Sequence, residues 1–255
     1  MPHFTSYILC ATPRSGTTLL CDLLAATGVA GRPNSYFRRQ NISDWAREWG
    51  IPRGDFADAE GFERAYLAAA RRIGTGATPT FGLRLMWGSA VELFAQLGRL
   101  YPELPDDPAR LQQAFGPTLY VHVSRQDKVA QAVSRLRAEQ GGLWHRAADG
   151  SDRERSSASQ PVAYDGAGLA SFLAEAEAED AAWNVWFDRY GIAPLQLTYE
   201  GLSADPQATV AQILAALGHD PAIAATVMPR TAKLADATSL EWAARFRREG
   251  RRPLD

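Results

Sequence analysis

The stretch Tyr7-Ile8-Leu9-Cys10-Ala11-Thr12-Pro13-Arg14-Ser15-Gly16-Thr17-Thr18-Leu19-Leu20 determines the fold that this sequence predicts. Five apolar residues predict a buried strand, and a short polar turn follows them. Leu19, Leu20, Leu23 and Leu24 then recur at the spacing of a helix. The first N–H groups of such a helix lack intrahelical partners and lie at the positive end of its dipole. The turn is therefore suited to bind an anion, most often a phosphate.

The turn differs from the phosphate-binding loop of nucleoside triphosphatases. When the pattern G-x-x-x-x-G-K-[ST] is placed over it, the second glycine falls on Gly16 and the hydroxyl on Thr18. The first glycine falls on Ala11 and the lysine on Thr17, so the lysine that would contact the β- and γ-phosphates is absent. Arg14 supplies a cation instead, and its planar guanidinium suits a pair of sulfate or phosphate oxygens. We interpret the turn as an anion cradle; an ordinary turn with a capping threonine is the alternative.

The segment Thr12–Leu20 resembles the 5′-phosphosulfate loop of sulfotransferases that use 3′-phosphoadenosine 5′-phosphosulfate (PAPS), in detail the bacterial trehalose 2-sulfotransferase-like family. The resemblance covers nearly the whole chain, through Gly82-Leu83-Arg84-Leu85-Met86-Trp87, Val121-His122-Val123-Ser124-Arg125, Gln131-Ala132-Val133-Ser134 and Ser239-Leu240-Glu241-Trp242. It implies a P-loop-type three-layer α/β/α fold with a mostly parallel central sheet. It also implies transfer of a sulfuryl group from PAPS to a hydroxyl of a carbohydrate or glycoconjugate.

The resemblance assigns donor-binding residues. The loop would hold the 5′-phosphosulfate, Arg125 and Ser134 the 3′-phosphate, and Tyr199 would lie near the adenine. A polar segment at 229–238 adds two cations. The donor-binding residues expected are Pro13, Arg14, Ser15, Gly16, Thr17, Thr18, Arg125, Ser134, Tyr199, Arg230 and Lys233.

The acceptor side and the general base are less closely specified. In the resembled family the segment matching Gly31–Ser35 carries glutamates, including the proposed base, but Arg32 and Ser35 stand at those positions here. A cation therefore replaces an acid, which disfavours trehalose as the acceptor. The acceptor-binding residues expected are Arg32, Ser35, Tyr36, Trp87 and Trp144.

We expect Arg14 to be one catalytic group and His145 to be the base, because an unperturbed imidazole titrates near 6.5. Glu139 is the second choice for the base. The alternative for His145 is a surface histidine without a catalytic role.

The rest of the chain predicts one domain over residues 1–255. Apolar runs indicate further strands at Phe81–Met86, Leu119–Val123 and Pro194–Tyr199, with helical periodicities between them. This order is typical of a mostly parallel sheet covered by helices. The non-periodic segment 141–168 predicts a lid or loop insertion. His122, inside an apolar strand, is interpreted as a core histidine.

Composition excludes several classes of function. A chain of 255 residues with a net charge of −2 and interspersed charges does not favour nucleic-acid binding. Cys10 and Cys21 are interpreted as buried apolar residues, which suits a reducing cytoplasm. The four histidines are scattered, so we expect no metal site. We see no signal peptide and no run of eighteen apolar residues, and expect no stable membrane insertion.

The sequence thus predicts a cytoplasmic, PAPS-dependent sulfotransferase with a carbohydrate or glycolipid acceptor, and it leaves a homodimer open. A sulfuryl group carries less charge than a terminal phosphoryl group, so helix N–H groups and Arg14 are expected to neutralise it without a metal. Two alternatives remain: a degenerate P-loop kinase, and a non-catalytic PAPS- or anion-binding protein derived from a sulfotransferase.

Overall fold

The computed structural model of the chain describes residues 4–147, 151–155, 161–228, 231–232 and 236–250. The strands are β1 (Ser6–Ala11), β2 (Phe81–Met86), β3 (Thr118–Ser124), β4 (Leu143–Ala147), β5 (Asp152–Arg155), β6 (Leu195–Thr198) and β7 (Thr231–Ala232). The α-helices are α1 (Thr17–Ala26), α2 (Ile42–Glu48), α3 (Ala59–Thr75), α4 (Trp87–Leu100), α5 (Asp107–Phe115), α6 (Lys128–Gly141), α7 (Gly166–Arg189), α8 (Tyr199–Ala204), α9 (Pro206–Leu217) and α10 (Ala237–Glu249).

The central sheet has the strand order β2-β1-β3-β6, and every pair in it is parallel. β1 lies in the middle, where all six of its residues are buried. Its apolar run is typical of a parallel strand covered on both faces. The predicted parallel sheet is confirmed, and the loop leaves one of its two interior strands.

Side chains of β1 alternate between two cores. Ile8 and Cys10 pack in the core shared with α3, α4, α5 and α7. Tyr7, Leu9 and Ala11 pack in the core shared with α1 and α9. Because a strand has a side-chain period of two, a single buried strand supplies both cores. Helices on both faces give the predicted three-layer α/β/α arrangement.

Buried polar contacts fix α7 to the sheet and to α6. His122 of β3 lies with its two ring nitrogens 3.0 Å from Gln196 Oε1 and 3.0 Å from Asp180 Oδ1, and Lys128 Nζ donates to Asp180 Oδ2 at 2.8 Å. Burial raises the pKa of Asp180, but the hydrogen bonds from His122 and Lys128 outweigh it, and the net pKa is lowered. His122 is thus a core histidine with partners, as predicted. Trp183 Nε1 adds a bond of 3.0 Å to the backbone oxygen of Ala11.

Part of the segment predicted as an irregular lid is a second, small sheet. β4 pairs with β5 and with β7 in antiparallel fashion, in the order β5-β4-β7. The segment 141–168 therefore contains short strands among its described residues, at 143–147 and 152–155, and its assignment as a lid or loop insertion stays a prediction. Neither Leu143–Ala147 nor Asp152–Arg155 alternates apolar with polar residues, so the sequence gives no periodic strand signal there.

Two further expectations concern the described part of the chain. Cys10 and Cys21 are both buried, and they are not joined in a disulfide. Within the described ranges, no helix combines the length and the apolar character that crossing a membrane requires.

We predict that Trp183→Ala lowers the free energy of unfolding by about 3–5 kcal/mol, because it leaves a cavity and an unpaired Ala11 oxygen. Trp183 is 1% exposed. Val185 on the same helix is 66% exposed, so Val185→Ala is the matched control. It should change the free energy of unfolding by less than about 0.5 kcal/mol. Urea denaturation measures both. Equal losses in the two variants would contradict the packing described for α7.

Candidate active site

A cleft of about 1550 Å³ opens at the carboxyl ends of the central strands. This is the edge at which open parallel sheets bind ligands, because loops and helix N-termini meet there. Its walls include the turn after β1, the ends of β2 and β3, and parts of α6, β4, α7 and α8. The residues that line it include Pro13, Arg14, Gly16, Thr17, Thr18, Ser35, Arg84, Arg125, Ser134, Glu139, Trp144, Glu179 and Tyr199.

The start of α1 has no side chain over its N–H groups. Its N-cap is Gly16, in the left-handed region at φ 80°, whereas α3, α5, α6, α7, α9 and α10 each begin with an aspartate that accepts a backbone N–H. Two hydrogen bonds fix the turn that precedes the helix. Ser15 Oγ donates to Thr12 O at 2.8 Å, and Gln131 Nε2 donates to Pro13 O at 2.7 Å. Ser15 thus shapes the turn from a buried position and does not line the cleft. The helix end is rigid and left open for an anion.

Arg14 has an unusual backbone and a fixed side chain. It is the one non-glycine residue of the described chain with a positive φ, 68°. Its Nε donates to Ser134 Oγ at 3.0 Å, and its Nη1 donates to Trp144 O at 2.7 Å. A non-glycine residue with a positive φ is strained, and contacts with its surroundings must compensate for that strain. The loop predicted for the 5′-phosphosulfate and Ser134 predicted for the 3′-phosphate are therefore in direct contact.

Arg125 and Tyr199 form the next part of the cleft wall and are in contact with each other. The Cζ of Arg125 lies 4.2 Å from the centroid of the Tyr199 ring, and its Nη1 donates to Arg14 O at 3.2 Å. The Cδ2–Cε2 edge of the ring lies against Gly16, where an added Cβ would come within 2.7 Å of Tyr199 Cδ2. Burial lowers the pKa of Arg125, and the neighbouring Tyr199, Glu200 and Asp127 counteract it. An arginine remains charged at neutral pH after such a shift.

Unsatisfied polar atoms are concentrated at this cleft. Among the described residues, three buried side-chain atoms have no hydrogen-bond partner: Arg125 Nε, Gln131 Oε1 and Glu179 Oε2. Arg125 and Glu179 line the cleft, and Gln131 bonds the loop. Buried polar groups are nearly always paired, and an orphan commonly marks a missing ligand or a functional group. An anionic ligand with hydrogen-bond acceptors would satisfy Arg125 Nε.

Arg84 lines the cleft, which is one of the two alternatives that its place near a strand end left open; the other was a solvated side chain. It lies near the end of β2, paired in register with Leu9 of β1. Its Nη1 donates to Thr18 Oγ1 at 2.6 Å and its Nε donates to Ser35 Oγ at 2.8 Å. A charged side chain inside an otherwise apolar strand next to β1 was the available signal.

The structure separates the residues predicted for the acceptor. Ser35 and Trp144 line the cleft, whereas Arg32, Tyr36 and Trp87 do not. Tyr36 is 2% exposed and donates its hydroxyl to Arg32 O at 2.5 Å. The side chain of Arg32 is exposed beside Gly76. Trp87 packs edge-to-face on Trp183, with centroids 5.0 Å apart.

The predicted bases differ in what the structure describes. Glu139 lines the cleft, but Arg135 Nε donates to its Oε1 at 2.8 Å. The backbone of His145 lies in β4, and its side chain falls outside the described part, as do Arg230 and Lys233. The described residues hold no group of three or more histidine, cysteine, aspartate or glutamate side chains arranged for a metal ion.

We predict that Gly16→Ala weakens binding of adenosine 3′,5′-diphosphate at least tenfold, because the new Cβ would displace Tyr199 from Arg125. Gly28 is the matched control: its φ is 71°, and nothing lies within 4 Å of an added Cβ. Both substitutions carry the cost of a left-handed alanine, roughly 1–2 kcal/mol of stability. Calorimetry measures the affinity of each variant for adenosine 3′,5′-diphosphate and so distinguishes a local effect at the cleft from a general loss of stability. Unchanged affinity in Gly16→Ala would contradict the stacked wall described above.

Comparison with known proteins gives consistent matches. The family model described as Stf0 sulphotransferase matches residues 6–249. The chain is 30% identical over 281 residues to the trehalose 2-sulfotransferase of Mycolicibacterium smegmatis, covering 98% of this chain and 97% of that protein. It is 31% identical over 264 residues to the trehalose 2-sulfotransferase of Mycobacterium tuberculosis, covering 96% of each. Among solved structures, the sulfotransferase domain of the Synechococcus PCC 7002 olefin synthase aligns over 96% of this chain and 95% of that one, with 18% identity and a TM-score of 0.39.

Proposed function

Because the chain belongs to the Stf0 sulphotransferase family and is therefore a sulfuryl-transferring enzyme, we propose that its donor is PAPS and its acceptor a carbohydrate hydroxyl. The carbohydrate class rests on the two relatives, which are named for trehalose. The chain's Arg32 and Ser35, at positions where the resembled family has glutamates, support an acceptor other than trehalose. A cytoplasmic location is part of the proposal, and two buried cysteines that are not joined in a disulfide support it.

The observation that carries the donor assignment is that two anion sites adjoin on one cleft. One is the open N-terminus of α1 with Arg14, and the other is Arg125 with Ser134. Arg14 joins them through its side-chain bond to Ser134 and its backbone bond from Arg125. A nucleotide with anionic groups at both its 5′ and 3′ positions fits this pair, and the unpaired Arg125 Nε offers it a further donor.

The residues around the start of α1 would contribute to the transfer in different ways. PAPS, when bound, supplies the sulfuryl group and a phosphate leaving group. The N–H groups at the start of α1 stabilise the charge that develops on the leaving oxygen, and they need no reorganisation because Gln131 and Ser15 fix the turn. Arg84 holds Thr18 and Ser35 in place and adds positive potential beside the helix end. Positioning and charge stabilisation are the main catalytic terms in such transfers.

The contact between Arg84 and Thr18 also bears on the kinase alternative. In nucleoside triphosphatases the corresponding hydroxyl binds Mg²⁺. Here Thr18 Oγ1 accepts an N–H from Arg84 at 2.6 Å, so a guanidinium occupies the neighbourhood that the metal would need. This favours a sulfuryl donor over a nucleoside triphosphate.

Arg14→Ala should lower kcat/KM for PAPS roughly tenfold to a hundredfold, because a charge-assisted hydrogen bond contributes roughly 1.5–3 kcal/mol. Arg71→Ala is the matched control, since Arg71 is exposed on α3 and does not line the cleft. Steady-state kinetics with PAPS compare the two. Activity of Arg14→Ala within twofold of the wild type would refute its place in the cradle.

Calorimetry tests the 3′-phosphate site without turnover. We expect adenosine 3′,5′-diphosphate to bind at least tenfold more tightly than adenosine 5′-phosphosulfate, which lacks the 3′-phosphate. Arg125→Gln should reduce that ratio, since it removes the cation beside Ser134. Equal affinities of the two ligands for the wild-type chain would show that Arg125 and Ser134 serve another purpose.

The proposed function is tested by incubating the chain with sulfur-labelled PAPS and a panel of trehalose, glucose, other disaccharides and glycolipids, with and without EDTA. Labelled carbohydrate formed in the presence of EDTA is the expected result. Mg²⁺-dependent hydrolysis of ATP would favour the kinase. Binding of adenosine 3′,5′-diphosphate without transfer to any acceptor would favour the non-catalytic alternative.

A further inference from the structure

Glu179 of α7 is a cleft residue to which the resemblance gives no role. It lines the same cavity as Arg14 and Ser134. Its Oε2 is buried and has no hydrogen-bond partner among the described residues. A carboxylate placed in this way is costly to the folded chain, because burial removes water without supplying a donor in its place.

The other cleft carboxylates of the described chain have partners. Glu139 and Glu175 pair with Arg135, at 2.8 Å and 3.9 Å, and Glu92 pairs with Arg39 at 3.5 Å. The rest accept backbone N–H groups or an arginine: Asp127, Glu200 and Asp236. A general base needs a free lone pair within reach of its proton. Among these described carboxylates, Glu179 alone has a buried oxygen without a hydrogen-bond partner.

The packing of α7 directs Glu179 toward the loop. Glu175, Glu179 and Trp183 recur every four residues and therefore share one helix face. Trp183 donates to Ala11 O, the last residue before the turn, and Glu179 stands one helical turn nearer the cleft. Side chains of a helix tilt toward its N-terminus, which takes the carboxylate of Glu179 further into the cleft.

The same helix face borders the acceptor side of the cleft. Trp183 packs edge-to-face on Trp87, the first residue of α4, and the next two residues, Gly88 and Ser89, line the cavity. Glu179 thus belongs to a wall shared by the donor loop and the start of α4.

Its electrostatic setting agrees with this geometry. Burial raises the pKa of Glu179 from 4.5 to about 7, with Glu175 on its own helix also raising it and Arg135 on α6 lowering it. The adjacent Asp180 has the opposite shift, because His122 and Lys128 donate to it. A base with a pKa near the working pH accepts a proton most effectively.

We propose that Glu179 is the general base of the transfer, an assignment that rests on the proposed function. Its carboxylate takes the proton of the acceptor hydroxyl as the oxygen of that hydroxyl bonds to sulfur. The bond between sulfur and the 5′-phosphate oxygen of the donor breaks, and the phosphate keeps the electron pair. The base has moved from the segment 31–35 to α7, which accounts for the absence of a carboxylate at Arg32 and Ser35.

The test compares Glu179→Gln with Glu177→Gln, a substitution of an exposed glutamate of α7 that does not line the cleft. Transfer from labelled PAPS is measured with the carbohydrate of the panel that the wild type uses best. Glu179→Gln should lower kcat by about 10²–10⁴-fold and remove the acid limb of its pH profile. Its affinity for adenosine 3′,5′-diphosphate should stay within threefold of the wild type, and Glu177→Gln should match the wild type throughout.

Stability against pH gives a readout that needs no donor. A folded-state pKa above the unfolded value means that the native chain binds the proton more tightly, so ionisation destabilises it. The stability of the wild type should therefore fall relative to Glu179→Gln between pH 4.5 and about 7, and the difference should stay constant above that window. A purely structural glutamate with a partner would give the opposite sign.

Two results would overturn the assignment of Glu179. One is a wild-type kcat in Glu179→Gln while Glu139→Gln or His145→Ala abolishes transfer. The other is a stability difference that does not change between pH 4.5 and 7. If the wild type binds adenosine 3′,5′-diphosphate but sulfates no carbohydrate, the proposed function fails and the base assignment fails with it.

Discussion

The open N-terminus of α1 is the constraint on which the site depends. Gly16 begins this helix because only a residue without a side chain fits a left-handed backbone pressed against the ring of Tyr199. The ring in turn carries the guanidinium of Arg125 on its face, 4.2 Å away. The same glycine therefore exposes the N–H groups to the cleft and sets the position of the second cation. A shift of the helix end would therefore also shift Arg125, because both contact the ring of Tyr199.

Contacts of the core with β1 and α7 fix the position of the start of α1. β1 is buried on both faces, and its last residue accepts a hydrogen bond from Trp183 of α7. α7 is fixed in turn through Asp180, which accepts from Lys128 and lies within hydrogen-bond distance of the ring of His122. Polar groups that are paired stabilise this arrangement, whereas Arg125 Nε and Glu179 Oε2, beside the cleft, have no partner among the residues that the structure describes. Such local exceptions to satisfied bonding are typical of functional sites.

The sequence predicted the parallel sheet, the loop and His122 correctly because each depends on local pattern. A continuous apolar run and helical spacing identify β1 and α1 without tertiary information. The sequence left open whether Arg84 faces the cleft and gave Glu179 no role, because these placements depend on which strand lies beside β1 and which face of α7 meets the cleft. Tyr36 and Trp87 were predicted as acceptor residues from their neighbours in sequence, but the structure places them away from the cleft, where aromatic packing governs their position.

We propose that one cleft holds both phosphate-bearing ends of a 3′,5′-substituted nucleotide. A crystal structure of the chain with adenosine 3′,5′-diphosphate would locate both phosphates. The 5′-phosphate should lie against the N–H groups at the start of α1 and the 3′-phosphate against Arg125 and Ser134, with Arg125 Nε now paired. A nucleotide bound elsewhere, or with its 3′-phosphate in solvent and Arg125 Nε still without a partner, would contradict it.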